Sequence, residues 1–300
     1  MRVLVTGATG YVGSELIPAL LDRGHDVSAG VRNPEDLARF AWSERVTPLE
    51  LDVGDDHLVE TAVKGVDAVI YLVHSMSSRD FVTLDRAAAE RVSAACAEHG
   101  VERIIYLSGL IPRHVSQDDL SDHLRSRLEV EQVFLDGPTP TTSLRAAIVI
   151  GSGSTSFEIL RRLTDRVPFA PLPLWMLRRV QPVAIDDVVH LIGRCLDGPP
   201  RDRAYDVGGD EVLTYPELLG LFARLRGARR LQLPVLIAPR RAVGLVIAAV
   251  TQMPQGTVRA LVDSLSHDMT MSGDDVKRDI AEPGFRFMPV AEAITKALAD

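Results

Sequence analysis

Three glycines spaced three residues apart open the first segment of the chain that could do chemistry. The segment Thr6-Gly7-Ala8-Thr9-Gly10-Tyr11-Val12-Gly13 follows a short apolar run, and a helical pattern begins at its last residue. The first glycine permits a tight turn, the second lets a phosphate approach the backbone, and the third lets the helix pack closely. The helix N-terminus adds unpaired N–H groups and positive dipole. The pattern predicts a bound dinucleotide; a glycine-rich turn without a ligand is the alternative.

The end of the second predicted strand distinguishes the two nicotinamide dinucleotides. A carboxylate there binds the ribose hydroxyls and repels a 2′-phosphate. The sequence instead reads Ala29-Gly30-Val31-Arg32-Asn33-Pro34 and has no acid. Arg32 could hold a 2′-phosphate in a bidentate contact, although it could also be one of many solvated arginines. The sequence therefore predicts NADP(H) in preference to NAD(H).

The elements that position these residues alternate along the first half of the chain. Predicted strands are Arg2–Thr6, Asp26–Val31, Val46–Leu51, Ala68–Leu72, Ile104–Leu107 and Thr142–Ile148. Helical patterns lie between them at Gly13–Arg23, Pro34–Phe40, Asp56–Lys64, Arg79–His99 and His123–Leu135. This alternation is typical of βαβ units. We predict an α/β fold, a doubly wound parallel Rossmann sheet with ligands at the carboxyl ends of the strands.

The residue composition changes after Gly151, where a glycine/serine turn precedes the proline-rich segment Val167–Gln181. We expect residues 1–150 to form the NAD(P)-binding domain and 151–300 a smaller α/β lobe, for substrate or partner, packed on it. The lobe would contain helices over Asp186–Leu196, Tyr215–Leu225 and Val290–Leu298 and a short strand around Tyr205–Val207. The segment from Phe169 to Met176 could line an apolar substrate pocket, the core of the lobe or a dimer contact.

Composition excludes several functional classes. A net charge of −8 leaves no cationic surplus for nucleic acid. Cys96 and Cys195 lack metal-ligand spacing and are interpreted as buried thiols in a reducing compartment. The apolar run Ala242–Val250 is far shorter than the roughly 20 residues of a membrane span, so it is interpreted as a buried or interface helix. Because the N-terminus has no secretory pattern, we expect a cytoplasmic protein, and we expect no metal.

Several segments together resemble the extended short-chain dehydrogenase/reductase superfamily, and more closely its atypical NmrA-like and complex-I-subunit-like NAD(P)-binding branch. They are Thr6–Gly13, Asp52-Val53, Ala68–His74, Ile105–Ser108 and Leu144–Gly151, with Gly151–Glu158, Gln181–Val188 and Asp206–Thr214 further on. The resemblance implies cofactor contacts from Gly7, Thr9, Gly10, Tyr11, Val12, Arg32, Asp52, Val53, Leu72, Val73, His74, Leu107, Ala147 and Ile148. Asp52 could equally be a helix N-cap, and His74 could be a packed or exposed histidine.

The resemblance also implies a catalytic set, from which this sequence departs. Typical catalytic members join a serine after the fifth strand, here Ser108, to a Tyr-x-x-x-Lys pair on the next helix. No tyrosine of this chain has a lysine four residues later. His123 and Arg127 stand at the aligned positions and share one helix face. His123 could donate a proton to a carbonyl while Arg127 holds the cofactor ribose; alternatively, both residues simply face cofactor or solvent.

Two functions from different classes follow. The first is an NADP(H)-dependent oxidoreductase of atypical short-chain type, acting on a small carbonyl, enone or quinone-like substrate through Ser108, His123 and Arg127. The second is a non-catalytic NADP(H)-binding redox sensor or assembly factor with a regulatory protein partner, which the missing tyrosine and lysine favour. A sugar-nucleotide epimerase or dehydratase is less favoured, because it would need the Tyr-x-x-x-Lys pair. The helices also allow a homodimer.

Overall fold

Strands and helices alternate in the computed structural model, which describes residues 1–74, 80–167, 169–228, 231–235 and 238–299. The strands are β1 (Arg2–Thr6), β2 (Asp26–Val31), β3 (Thr47–Glu50), β4 (Ala68–Tyr71), β5 (Arg103–Gly109), β6 (Thr141–Ala146), β7 (Val149–Ile150), β8 (Phe169–Pro173), β9 (Arg179–Val180), β10 (Val183–Ala184), β11 (Arg203–Val207), β12 (Leu213–Thr214) and β13 (Leu231–Val235). The helices are α1 (Tyr11–Asp22), α2 (Asp56–Val63), α3 (Phe81–Glu98), α4 (Asp122–Leu135), α5 (Thr155–Arg166), α6 (Ile185–Asp197), α7 (Tyr215–Leu225), α8 (Arg240–Thr251), α9 (Gln255–Ser264), α10 (Asp275–Asp279) and α11 (Val290–Ala299).

Seven of the strands form one parallel sheet in the order β11-β6-β5-β4-β1-β2-β3. The central strands β1 and β4 are buried on both faces, because apolar residues fill consecutive positions in them. Strand order reverses between β1 and β4. At such a switch point neighbouring crossovers leave in opposite directions, and a crevice opens at the carboxyl ends of the strands.

Helices cover both faces of the sheet. On one face α1 packs against α6, and on the other α3 packs against α4 and α2. Each layer of helices covers a separate apolar core, and each core contains one of the two cysteines. Cys96 and Cys195 are both buried, as predicted, and burial raises the pKa of each thiol to about 12.

Apart from α6 and β11, which belong to the main sheet and its helical layer, the second half of the chain contributes helices that pack near the carboxyl ends of β5 and β6. Helices α5 and α7 pack around a separate apolar core with α11. Helices α8 and α9 pack against each other, and α9 also touches α4. Strands β8 and β13 form a parallel pair outside the main sheet. Among the described residues, no helix is both long enough and apolar enough to cross a bilayer.

The predicted α/β fold with a doubly wound parallel sheet is confirmed. Strands β1 and β2 have the predicted bounds, whereas β5 is longer, running from Arg103 to Gly109. The strand predicted around Tyr205–Val207 within the second lobe is instead the edge of the main sheet, paired with β6. A parallel strand needs a crossover of about a dozen residues or more but has no fixed upper limit, so the position of β11 along the chain does not reveal its partner. The division at residue 150 stays a prediction.

Candidate active site

The glycine loop joins β1 to α1 at the crevice. Gly7 has a φ of 68°, in the left-handed region that favours glycine. A Cβ on Gly13 would lie 2.6 Å from the carbonyl oxygen of Gly7, so only glycine allows the helix to approach the loop this closely. No side chain caps α1 at Gly10, and its first turn has no acidic residue. The first N–H groups of the helix are therefore left for a ligand, the arrangement that suits a phosphate.

The predicted contacts Thr9, Tyr11 and Val12 belong to this loop and the first turn of α1. Two arginines follow β2 beside them. Arg32 is the first residue beyond the strand, and its side chain is exposed. Arg39 donates from Nη2 to the carbonyl oxygen of Thr9 at 3.4 Å. Sequence reasoning missed Arg39, because the contact joins two different βα units and no local pattern marks it.

Asp52 and Val53 follow β3 on the same edge of the sheet. Asp52 is exposed, and its Oδ1 accepts the backbone N–H of Gly54 at 2.8 Å. The alternative that Asp52 caps the next helix is wrong. The N-cap of α2 is Asp55, whose side chain accepts the N–H of Leu58, because the helix begins three residues later than that alternative requires.

The end of β4 lies against the glycine loop. The backbone N–H of Leu72 donates to Oγ1 of Thr6 at 3.1 Å, and a Cβ on Gly7 would be 3.5 Å from the carbonyl carbon of Leu72. Val73 packs against the core on the α3 side of the sheet. Leu72 therefore borders the loop directly, whereas the side chain of Val73 supports the opposite layer.

A cavity of about 270 Å³ lies at the carboxyl ends of β5 and β6. The predicted residues that line it are Val12, Leu107, Ser108, His123, Arg127, Ala147 and Ile148. The second half of the chain supplies an apolar wall that includes Tyr215, Ile247 and Leu261. Of the segment from Phe169 to Met176, the residues from 172 onward, whose side chains the structure describes, are not part of this lining. Leu172 and Met176 lie in the core around α7.

Ser108 and Arg127 provide polar groups at the end of β5. The Ser108 hydroxyl is buried, with no hydrogen-bond partner of good geometry among the described residues. Nη1 of Arg127 donates to the carbonyl oxygen of Leu107 at 2.7 Å. The same arginine's Nε is buried without a partner in the described part of the chain. The guanidinium is thus fixed by the strand while keeping hydrogen-bonding capacity for a ligand.

Asp85, His74 and His123 form a hydrogen-bonded array beside the cavity. Nδ1 of His74 lies 2.6 Å from Oδ2 of Asp85, and Nε2 of His74 lies 3.0 Å from Nδ1 of His123. Ser126 donates from Oγ to the same carboxylate oxygen of Asp85 at 2.8 Å. Asp85 is only 3% exposed, whereas His123 lines the cavity. The array therefore runs from the buried side of α3 to the place where a substrate would sit.

Burial and a neighbouring cation control the charge of the array. Burial lowers the pKa of His74, the positive charge of Arg127 lowers it further, and Asp85 acts in the opposite direction. The same influences, with burial the largest, hold the pKa of His123 well below its usual value of 6.5. Both imidazoles are therefore neutral at neutral pH. Because Nδ1 of His74 faces a carboxylate it carries the proton there, so its Nε2 accepts the Nδ1–H of His123.

Asp85 is a second functional candidate that sequence reasoning missed, after Arg39. It lies within an alanine-rich helical pattern, where an acidic residue normally faces solvent. Its partners are His74, which follows β4, and Ser126 of α4, 41 residues further along the chain. The only local signal is its spacing of eleven residues after His74, which has no known meaning without the fold. His74, predicted as a cofactor contact, occupies the middle of the array.

Comparisons with known proteins agree with this architecture. A family model described as NAD(P)H-binding matches residues 7–132. The chain is 31% identical over 232 residues to (4-alkanoyl-5-oxo-2,5-dihydrofuran-3-yl)methyl phosphate reductase of Streptomyces griseus, covering 75% of this chain and 74% of the relative. It is 27% identical over 224 residues to the mitochondrial NADH dehydrogenase [ubiquinone] 1 alpha subcomplex subunit 9 of Arabidopsis thaliana. That match covers 71% of this chain but only 55% of the plant subunit.

A solved structure shares the fold along the whole chain. The triphenylmethane reductase of Citrobacter sp., crystallised with NADP(H), superposes with a TM-score of 0.76 at 20% sequence identity. The match covers 99% of this chain and 100% of the reductase. At this identity the likeness concerns the fold.

Proposed function

The chain belongs to the atypical, NmrA-like family of NAD(P)H-binding proteins among the extended short-chain dehydrogenases/reductases, and from this we propose that it is an NADP(H)-dependent oxidoreductase. Its substrate would be a small carbonyl, enone or quinone-like compound. The observation that carries this proposal is the hydrogen-bonded array of Asp85, His74 and His123, which ends at the cavity beside Ser108. An array of this kind moves protons, and reduction of a carbonyl needs one proton for each hydride.

The residues at the crevice fit a nicotinamide dinucleotide. The uncapped N-terminus of α1 and the close packing at Gly13 suit a pyrophosphate. Arg32 and Arg39, placed on both sides of the turn after β2, suit a 2′-phosphate and support NADP(H) as the preferred form. Arg127 would hold the nicotinamide ribose. When bound, the cofactor supplies or accepts the hydride.

The array can accept a proton during substrate oxidation or donate one during substrate reduction, depending on whether it holds one additional proton. With two neutral imidazoles, Nε2 of His123 has a free lone pair toward the cavity and can accept a proton from a substrate hydroxyl. With one further proton, Nε2 of His74 donates to Nδ1 of His123, and Nε2 of His123 then carries a hydrogen. During reduction the substrate oxygen takes this hydrogen while His123 receives the proton of His74 at Nδ1. The Nδ1–H of His74 stays bonded to Asp85, and solvent restores the lost proton between turnovers.

Ser108 and Arg127 complete the site in this proposal. The buried Ser108 hydroxyl, on the same strand end, would donate a hydrogen bond that orients the substrate oxygen toward His123. Arg127 cannot lose its own proton. Its fixed charge lowers the pKa of both histidines, so the array gives up a proton more readily to a weakly basic substrate oxygen.

The test is NADPH oxidation by the purified chain across a panel of carbonyls, enones and quinones. We expect His123→Gln to lower kcat for reduction by about 10²- to 10⁴-fold and to leave NADPH affinity unchanged. The matched control is His25→Gln. His25 has the same 7% side-chain exposure as His74 and also faces an aspartate, Asp197, but lies outside the cavity. If His25→Gln lowers kcat as much as His123→Gln, the loss is structural and the assignment fails.

A redox sensor or assembly factor is the second candidate. It is favoured by the replacement of the Tyr-x-x-x-Lys pair with His123 and Arg127. The relative named as an NADH dehydrogenase subunit points the same way. NADPH binding by calorimetry without turnover on any compound of the panel, and without effect of His123→Gln on binding, would select this candidate.

A further inference from the structure

Arginine and acidic residues are segregated in the second half of the chain. Residues 166–185 and 218–262 together contain ten arginines and no aspartate or glutamate, although the whole chain has a net charge of −8. The two segments are neighbours in the fold. Strand β8 of the first pairs along its full length with β13 of the second, and Nε1 of Trp175 donates to the carbonyl oxygen of Ala238 at 2.9 Å. The acid-free segments therefore form one continuous region.

Exposed apolar side chains are concentrated in the same region. Nine large hydrophobic residues are exposed among the described residues, and seven of them lie in these two segments. One of the seven, Leu225, ends α7; the other six are between 46% and 62% exposed. They are Leu174, Leu177, Leu231, Leu233, Leu245 and Val246. They come from the turn after β8, from β13 and from α8. Scattered single apolar residues are normal on a surface, but a cluster of this kind marks a binding face.

Three arginines border these apolar residues. Arg178 is the next residue after Leu177, and Arg240 and Arg241 begin α8. All three are exposed, and none forms an ion pair within the described part of the chain. Burial lowers the pKa of His267, and the positive charges of Arg240 and Arg178 lower it further, so both arginines lie near this histidine. We call the six apolar residues and these three arginines the arginine–leucine face.

We propose that the arginine–leucine face docks the protein onto the surface of an anionic lipid bilayer. Apolar side chains on a short helix, bordered by unpaired arginines, have the chemistry of an interfacial contact: the leucines enter the boundary of the acyl chains and the guanidinium groups meet lipid phosphates. With twelve residues, α8 is too short to span the bilayer, so the contact would lie in the plane of the surface.

Charge distinguishes this occupant from a second copy of the chain. A two-fold symmetric dimer through this face would bring the arginines of both copies together with no acidic residue of the region to compensate. An anionic membrane offers the complementary charge over the whole area. The proposal is independent of the oxidoreductase assignment, because none of its nine residues lines the site cavity.

Docking also has a consequence for the site. Helix α8 separates the two regions, since Ile247 lines the cavity whereas Leu245 and Val246 are exposed on the outer side. In the docked protein only helix α8 would separate the apolar wall of the cavity from the lipid. If the proposed oxidoreductase function holds, this position favours apolar substrates that partition into membranes.

The test is sedimentation of the full chain with vesicles of phosphatidylcholine alone and of phosphatidylcholine mixed with phosphatidylglycerol. We expect binding to the mixed vesicles, release at high salt, and at least a tenfold loss of affinity in both Leu245→Ser/Val246→Ser and Arg240→Gln/Arg241→Gln. Val212→Ser and Arg45→Gln are the matched controls. Val212 is 47% exposed outside the face, and the Arg45 side chain is 54% exposed near Asp22; both variants should bind like the unmodified chain.

Several outcomes overturn the proposal. One is absence of binding to the mixed vesicles, and another is equal binding to both vesicle types. Equal losses in the control variants would also overturn it. Sedimentation equilibrium without lipid tests whether a second copy of the chain binds the face instead. A dimer of the unmodified chain that becomes a monomer in Leu245→Ser/Val246→Ser would assign the face to self-association. Thermal melts show whether each variant folds. If Leu245→Ser/Val246→Ser does not fold, the result for Arg240→Gln/Arg241→Gln, which alters only exposed side chains, decides whether the proposal holds.

Discussion

Asp85→Asn tests the proton array without touching the cavity wall. The carboxylate is 3% exposed and accepts hydrogen bonds from His74 and Ser126. An asparagine keeps the size of the side chain but removes the charge that favours a proton on His74. A hydrogen bond to a charged group contributes about 1.5 to 3 kcal/mol. Since each 1.36 kcal/mol is a factor of ten in rate, we expect kcat for reduction at pH 7 to fall about 10- to 150-fold.

The direction in which kcat changes with pH follows from the proton that the array must hold. The array donates only while it holds its extra proton, so kcat for reduction is highest at low pH and falls as pH rises through the apparent pKa of the array. Asp85 raises the pKa of both His74 and His123, against burial and Arg127. Asp85→Asn therefore moves the fall to lower pH. The reverse oxidation uses the array without that proton, so its rate should rise over the pH range in which reduction falls.

The assay is stopped-flow absorbance of NADPH over pH, joined to nitrogen NMR of histidine-labelled protein. NMR needs neither cofactor nor turnover, so it reports on the array even if the oxidoreductase assignment fails. We expect Asp85→Asn to change the signals of His123 as well as His74. Asp187→Asn is the control, since Asp187 is also a buried aspartate but lies outside the cavity. The reasoning is refuted if kcat falls equally at every pH, or if the His123 signals do not respond.

Two further predictions concern the cofactor and the stability of the fold. Replacing either Arg32 or Arg39 with alanine should weaken NADPH binding by about tenfold, because one charge-assisted contact contributes about 1 to 2 kcal/mol. Calorimetry should find the affinity for NADH unchanged. Equal losses for both dinucleotides would contradict a 2′-phosphate site. Burial raises the pKa of Asp187 from 3.8 to about 6, so ionisation of this carboxyl lowers the stability of the fold progressively between these two pH values, and the full loss is present above about pH 6. Asp187→Asn should raise the free energy of unfolding by about 2 to 3 kcal/mol at pH 8, an advantage that denaturant titration should find absent at pH 3.

The sheet could be predicted from the sequence because its signals are local. Strand β1 and the glycine loop combine a buried apolar run with a turn that only glycine permits, and both features lie within about a dozen residues. The contacts that complete the site have no such signal. Arg39 reaches Thr9 across 30 positions, and Asp85 meets Ser126 across 41. Each pair forms only because crossover connections bring separate elements to one edge of the sheet.

The second half of the chain was harder to predict for another reason. Ala242–Val250 has the composition of a core helix, and the prediction of a buried or interface helix follows from that composition alone. In α8 the residue Ala248 is buried while Leu245 and Val246 are exposed, and periodicity cannot say which apolar side faces inward when nearly every position is apolar. The pattern of charge along the chain is more informative, because the order of the residues alone reveals an acid-free region in an acidic protein.

In the proposed mechanism His123 and Arg127 stand where the resemblance places a tyrosine and a lysine, and this difference changes where the proton is stored. A lysine can share a proton with its neighbours, whereas an arginine contributes a fixed charge and no proton. Beside an isolated, buried His123, that charge would only lower the histidine's pKa and leave it without a proton to donate. Asp85 acts in the opposite direction through His74, so the array can hold a proton that Arg127 then makes easier to release. Arginine at position 127 is therefore compatible with proton donation only together with Asp85 and His74, and a relative with the same histidine and arginine but without this pair should bind the cofactor without reducing a substrate.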